Sequence, residues 1–326
     1  MPKVSICIAV YNAEKHIEQC VRSLFAQTLD DLEYIFVDDA SPDASIDVML
    51  RVLEDYPHRK NQIKLIRHEI NQGVAATRKD AIAAATGKYV IHCDPDDWVD
   101  LDMYESMYAE AVVTDADVVI CNASDEYMKP FASDVKFVRE NPDLAVGNLR
   151  EQITCSLWNK LYKVEIVHSP RIKYDDSLRS AEDGGSVLQY FLLCKKSATV
   201  DKYFYHYRTS NEGSVTKKDN VLHHIRAIEF AEEILKDTKY LPLLEIHKIR
   251  NLIKAIKSDK VSVTKWHSLW KTTKWKFLFI KYPIKMKLIF YVACINFSLA
   301  QWIWKKYGIA SKKRKANRKC RKCRSV

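Results

Sequence analysis

Four consecutive residues, Asp94-Pro95-Asp96-Asp97, hold three carboxylates. Ionised side chains packed this closely repel one another. A divalent cation gives a folded chain a reason to keep them together, because Mg²⁺ and Mn²⁺ prefer oxygen ligands and share them with substrate phosphates. The same letters fit a solvated acidic turn around Pro95 in which Asp94 or Asp97 caps the next helix. A second acidic pair, Glu182-Asp183, stands before Gly184-Gly185 and suits the start of a helix, where the dipole favours negative charge. A third pair, Asp38-Asp39, offers acceptors for a base N–H or for ribose hydroxyls. Arg78 supplies the opposite charge.

These groups need elements that bring them to one place. Asn71 to Asp97 reads as loop, helix, tight turn, buried strand and acidic loop. Asn71 and Gly73 break the chain, Val74, Ala81, Ile82 and Ala85 form an apolar stripe, and Gly87 is expected to end the helix. Lys88 to Cys93 is then expected to form an interior strand that carries Asp94, Asp96 and Asp97 out at its carboxyl end, where open α/β sheets bind ligands. Arg78 falls four residues after Val74 and three before Ala81, on the apolar stripe. A guanidinium there, near a helix N-terminus, suits a phosphate or a base, or an ion pair with an acid at the sheet edge.

Earlier in the chain, Val4 to Val10 is a buried strand ending in Tyr11-Asn12, with Asn12 placed to cap a helix carrying Ile17, Cys20, Val21, Leu24 and Phe25. Glu33 to Val37 is a second strand leading to Asp38-Asp39, Asp43 is expected to cap the next helix, and Ile63 to Arg67 is a third strand. Val118 to Cys121 reads as a further strand. His92 reads as a satisfied strand histidine. In Tyr203 to Thr216, His206 and Arg208 alternate with aromatics and share one strand face.

The 326 residues suffice for one large domain and an appendage. The net charge of +10 conceals a division: residues 1–216 carry 24 Lys/Arg against 35 Asp/Glu, and residues 217–326 carry 28 against 7. An acidic body with a basic rear points to attachment to something anionic. The nine cysteines are odd in number and scattered through apolar runs, as in a reducing compartment. Cys320 and Cys323 lack a second pair to complete a zinc site and read as incidental. Val4 to Val10, preceded by one lysine, is too short for a signal peptide, so a cytoplasmic location is expected.

Five blocks stand in order along the front two thirds of the chain: VSICIAVYN (Val4 to Asn12), FVDDASPDAS (Phe36 to Ser45), NQGVAATRKDAI (Asn71 to Ile82), ATGKYVIHCDPDDWVD (Ala85 to Asp100) and AEDGG (Ala181 to Gly185). With them the chain resembles a family-2 glycosyltransferase of the GT-A fold, the inverting, nucleotide-sugar-dependent class. The resemblance implies a Rossmann-like α/β domain over residues 1–216, with a mixed, mostly parallel sheet flanked by helices. It implies a nucleotide-diphosphate sugar donor, a UDP-sugar foremost, and a hydroxyl acceptor on a glycan or lipid-linked glycan. Ala9 and Tyr11 would border the base, Asp38 and Asp39 would hold base and ribose, and Asn71, Gly73 and Arg78 would contact the nucleotide. Asp94 would contact ribose, Asp96 would bind the Mn²⁺ or Mg²⁺ that bridges the diphosphate, and Asp97 would support the loop. Asp183 would be the general base that inverting transfer requires, with Glu182 orienting acceptor or loop. His206 or Arg208 would reach the diphosphate, and Trp158 to Tyr162 resembles an acceptor-side segment. Ala9, Lys79 and the Ala40-Ser41-Pro42 turn depart from the commoner Pro or Thr, Asn and Gly-Ser-Thr.

The resemblance stops before residues 217–326. Val221, Ile225, Ile228 and Leu235, then Ile246, Ile249, Ile253 and Ile256, mark two amphipathic helices. Trp266, Trp270, Trp275, Trp302 and Trp304 alternate with lysines, which suits a membrane interface. Leu288 to Trp304 has 17 uncharged residues, short for a span of about 20 and better suited to lying in the interface. The tail SKKRKANRKCRKCR is expected to bind anionic lipid on the cytoplasmic face; nothing else in the sequence supports nucleic acid. Tyr11-Asn12-Ala13 is not the glycine-rich basic loop of a nucleotidyltransferase. Intact DPDD and EDGG blocks argue against a non-catalytic membrane- or nucleic-acid-binding protein with a relict nucleotide site.

Overall fold

A computed structural model of the chain describes residues 1–132, 134–140, 143–150, 152–175, 177–178, 182–211, 221–244, 292–293, 295, 298–300 and 303. The chain divides into two compact units, Met1–Lys217 and Lys218–Val326.

The first unit is built on one mixed sheet in the order β3-β2-β1-β4-β8-β6-β9-β5, with β7 pairing β6. Its strands are β1 (Val4–Val10), β2 (Leu32–Asp38), β3 (Ile63–Arg67), β4 (Tyr89–His92), β5 (Trp98–Val99), β6 (Val118–Asp125), β7 (Pro130–Ala132), β8 (Lys160–Lys163) and β9 (Ser197–Tyr207). The block β3-β2-β1-β4 is parallel throughout, so its carboxyl ends lie along one edge. Beyond β4 the pairing turns antiparallel through β8 and β6 and becomes parallel again between β6 and β9.

Alternation along the central strands explains the two-sided core. On β1 and β2, Ile6, Ile8, Val10, Tyr34 and Phe36 face one apolar cluster, while Cys7, Ile35 and Val37 face the other. The first cluster takes in α1 (Ile17–Phe25), α2 (Ser45–Leu53) and α4 (Met103–Thr114). The second takes in α3 (Val74–Ala84) and α8 (Glu182–Leu193). A sheet covered on both faces needs near-continuous apolar strands, as β1 and β2 have, and each fully buried Val or Ile contributes about 2 kcal/mol.

Two local readings change, and two further stretches take shape. Asn12 caps no helix: it has φ 52°, and α1 begins at Ile17 behind a short turn. Gly87 lies beyond the end of α3; a Cβ on it would come within 2.7 Å of the Ser5 backbone nitrogen, so it is glycine because β1 passes close by. The stretch 122–150 holds the β6–β7 hairpin and two short helices, α5 (Asp134–Glu140) and α6 (Leu144–Leu149). Trp158 to Tyr162 leads into strand β8, followed by the short helix α7 (Val164–Val167).

In the second unit, α9 (Val221–Leu235) covers the first expected amphipathic helix, with Ile225, Phe230, Ala231 and Leu235 buried. The second expected helix, Trp266, Trp270, Trp275, Trp302 and Trp304, the basic tail and Cys320 and Cys323 lie outside the described residues, as does most of Leu288 to Trp304. Among the described residues no helix is long and apolar enough to cross a membrane. Cys7, Cys20, Cys93 and Cys121 are buried free thiols.

Candidate active site

The carboxyl edge of β1, β2 and β4 gathers most of the residues singled out above. At the end of β1, Tyr11 is 51% exposed and Ala9 is half-buried. At the end of β2, Asp38 accepts from Ser41 N at 2.9 Å, closing a turn in which Ala40 has φ 53°. That left-handed conformation favours glycine, and alanine accepts it at a cost of about 1 kcal/mol. The turns after β1 and β2 are laced together. Asn12 N donates to Ser41 Oγ at 2.8 Å, and Glu14 N donates to Asp43 Oδ2 at 2.9 Å. Asp43 also accepts from Ser45 N at 3.2 Å but does not hold the expected cap position: it lies two residues ahead of Ser45, the first residue of α2, and Ala44 stands at the N-cap.

Asp39 is buried and organises the loop before α3. Its Oδ1 accepts from Gln72 N at 2.7 Å and its Oδ2 from Gly73 N at 2.8 Å, while its carbonyl accepts from Asn71 Nδ2 at 3.2 Å. Gly73 sits at φ 91°, where a side chain would be strained. His68 Nδ1 lies 2.7 Å from the same Asp39 Oδ1. A carboxylate has about four lone-pair positions, so Asp39 keeps one acceptor position beyond these three contacts.

Arg78 is the hub. It is buried on α3 and its Nη2 donates to Asp94 Oδ1 at 2.8 Å. Its Nη1 contacts both Glu182 Oε1 and Asp183 Oδ1 in the first turn of α8. The pair opens α8 and turns toward Arg78. One guanidinium meets three carboxylates, leaving a surplus of negative charge. Burial works against the Arg78 charge, but Asp183, Asp94 and Glu182 hold it firmly protonated. Burial also raises the Asp183 carboxyl well above the ordinary range; Arg78 pulls against this, while Glu182 and Asp94 push the same way. His92, beneath the hub on β4, is kept neutral, pushed down to about 3 by burial and then by Arg78.

In the acidic loop the three aspartates separate. Asp97 is fully buried and accepts from Tyr205 OH at 2.7 Å and Arg208 N at 2.7 Å, so it braces the loop as expected. The same Tyr205 oxygen accepts from Asp94 N at 3.1 Å. Trp158 stacks on Tyr205 with ring centroids 4.3 Å apart. Asp96 stays half-buried, and Asn211 Nδ2 donates to its Oδ2 at 2.8 Å. Burial, then Asp94, raises its carboxyl.

Arg208 lies against this loop, its Nε donating to the Asp96 carbonyl at 2.7 Å and its guanidinium 4.9 Å from the Trp98 ring centroid. His206 is closed off from it: its Nδ1 is 2.9 Å from Ser124 Oγ, its Nε2 is 2.7 Å from Asp100 Oδ1, and its ring stacks on Trp98. Glu126 holds the following residues, accepting from Thr209 N at 2.9 Å and Ser210 N at 3.1 Å.

Sequence reasoning missed three participants. Asn211 lies in the Tyr203–Thr216 block, and its position 115 residues from Asp96 left only that block as a hint. Tyr205 looked like one aromatic among several. His68 follows β3 with no motif around it.

Among the described residues no three His, Cys, Asp or Glu side chains are grouped as metal ligands. Asp96 nevertheless offers a hard oxygen beside Asp94, both partly exposed. A cation held by one or two carboxylates and completed by substrate phosphates fits that donor set, whereas Asp97, turned inward, does not belong to it.

A parallel sheet edge carrying an acidic site bridged by Arg78, on a mixed sheet covered by helices, is the arrangement of the GT-A fold. The glycosyl transferase family 2 sequence pattern matches residues 5–168, and the chain belongs to that family. EpsH of Bacillus subtilis, named as a glycosyltransferase, is 34% identical over 215 residues, 64% of this chain and 61% of that protein. A poly(ribitol-phosphate) beta-glucosyltransferase of Bacillus spizizenii is 28% identical over 214 residues, 65% of this chain and 33% of that protein. The chain thus spans about three fifths and one third of these two relatives. The S. aureus TarS 1-349 structure in complex with UDP-GlcNAc matches with a TM-score of 0.68 at 19% identity, covering 94% of this chain and 92% of that one; it shares the fold.

Proposed function

We propose that this protein is an inverting glycosyltransferase that moves a sugar from a nucleotide-diphosphate donor, a UDP-sugar foremost, to a hydroxyl of a glycan or lipid-linked glycan. The observation that carries this reading is the reach of Arg78, which joins Asp94 of the acidic loop to Glu182 and Asp183 of α8. Donor side and acceptor side of a displacement reaction meet at one cation. The TarS structure was obtained with UDP-GlcNAc, which supports a uridine donor, and the Bacillus spizizenii relative is named for a polymeric acceptor.

The proposed roles are those that the resemblance implies, set on the positions described above. Tyr11 offers an exposed ring to the base from beside Ala9. Asp38 and Asp39 shape the turn and the Asn71–Gly73 loop around it. Asp94 meets the ribose. Arg208 stands beside Asp96 where diphosphate charge would collect. Asp183 takes the acceptor hydroxyl proton as that oxygen attacks the anomeric carbon; burial raises its carboxyl, which makes the ionised form a stronger base. Glu182 holds Arg78 and orients the acceptor side. Mn²⁺ or Mg²⁺ held by Asp96 would neutralise charge on the leaving nucleoside diphosphate.

Residues 217–326, with 28 Lys/Arg against 7 Asp/Glu, form the part proposed to rest on an anionic membrane surface at the cytoplasmic face, bringing the site to lipid-linked acceptors.

Thermal shift with a panel of nucleoside diphosphates, with and without Mn²⁺, tests the donor site. Metal-dependent stabilisation by one nucleotide, lost on chelation and in Asp96→Ala, is expected. Stabilisation by none would contradict the reading.

A further inference from the structure

His68 has no part in the roles assigned above, yet its surroundings are unusually demanding. It follows β3 directly, its backbone N–H continues the sheet by donating to Asp38 O at 2.9 Å, and its side chain is 5% exposed. Both ring nitrogens face carboxylates: Nδ1 is 2.7 Å from Asp39 Oδ1 and Nε2 is 3.0 Å from Asp80 Oδ2. A neutral imidazole has one N–H and would turn a lone pair toward one of these oxygens. Two carboxylates at hydrogen-bonding distance on opposite sides call for the imidazolium, which donates to both.

The two carboxylates belong to different parts of the nucleotide site. Asp39 holds the Gln72 and Gly73 amides and so fixes the loop that opens α3. Asp80 lies on α3 itself, two residues beyond Arg78. We propose that His68, as a doubly bonded imidazolium, is a positioning residue for donor recognition, locking Asp39 and its loop to the helix that carries Arg78. This rests on the nucleotide reading above and adds a residue and a charge state to it.

The lock has a pH dependence of defined sign. Burial acts to lower the His68 pKa, but the hydrogen bonds and charges of Asp39 and Asp80 outweigh it and raise the value. These are the charged groups that face the ring, from the end of β2 and from α3; the loop residues Asn71, Gln72 and Gly73 carry no ionisable side chain. As pH rises through the raised value, one of the two donated bonds is lost and donor affinity falls.

The test is nucleoside diphosphate binding to the full chain by calorimetry, at constant metal, from about pH 6 to about pH 9. Wild-type affinity should fall with rising pH. His68→Gln should bind about tenfold more weakly at the low end, the size of one lost charge-assisted hydrogen bond, and show little of the pH dependence. Asp80→Asn changes the solvent-reached end of the bridge and leaves the buried ring in place; it should move the fall in affinity to lower pH. Wild-type affinity that ignores pH, or variants that keep the wild-type profile, would overturn the inference while leaving the nucleotide site intact. Failure of the wild-type chain to bind any nucleoside diphosphate would overturn the donor reading and this inference together.

Discussion

Arg78 and Asp183 are in direct contact although 105 residues separate them in the chain. The contact ties α3, which follows the nucleotide loop, to α8, which opens with the acidic pair. It also makes Arg78 the residue whose loss exposes most about the site. Arg78→Ala would leave Asp94, Glu182 and Asp183 partly buried with no cation between them, at a cost of about 3–5 kcal/mol. Arg78→Lys should cost less, because the charge stays but one ammonium cannot reproduce the fork. Urea unfolding midpoints of the two variants should fall in that order.

The proton balance at Asp183 gives a second prediction. Its folded pKa is raised, chiefly by burial. As a base it must be ionised, so transfer should be lost as pH falls through that raised value, well above the ordinary aspartate value of about 3.9. Stability runs the other way. The folded state holds a proton that the unfolded state has released, so this contribution is present below about pH 3.9 and is lost as pH rises through the folded value. Melting temperature against pH should therefore slope downward over that window, and less steeply in Asp183→Asn.

Much of this was legible in the sequence. The parallel block β3-β2-β1-β4 announces itself through short apolar runs, each followed by acidic or small residues, and Arg78 could be placed by its spacing on the apolar stripe of α3. The choice between a nucleotide contact and an ion pair could not be made from spacing, because the partners Glu182 and Asp183 arrive from a helix more than a hundred residues away. Asn12 and Gly87 were misread for a related reason. A backbone φ of 52° and the close passage of β1 are tertiary facts, and helix-boundary signals are the nearest local imitation of them.

Tyr205 supplies a third prediction. Its hydroxyl donates to the fully buried Asp97 and accepts from Asp94 N, so it fixes the acidic loop from below. Burial, then Asp96 and Asp94, push the Asp97 carboxyl up, and the Arg208 amide and Tyr205 pull it down. Tyr205→Phe keeps the stacking on Trp158 and removes these two bonds, at a cost of about 1–3 kcal/mol. A lower melting temperature and a higher donor KM are the expected signs.

The most direct measurement of the central claim pairs transfer with binding in Asp183→Asn. The amide keeps the shape of the side chain and cannot take a proton, while Arg78 retains Asp94 and Glu182 as partners. The account predicts that kcat falls by about 10²–10⁴ while nucleoside diphosphate binding stays close to wild type. Wild-type turnover in Asp183→Asn would contradict it and move the base elsewhere on the acceptor side.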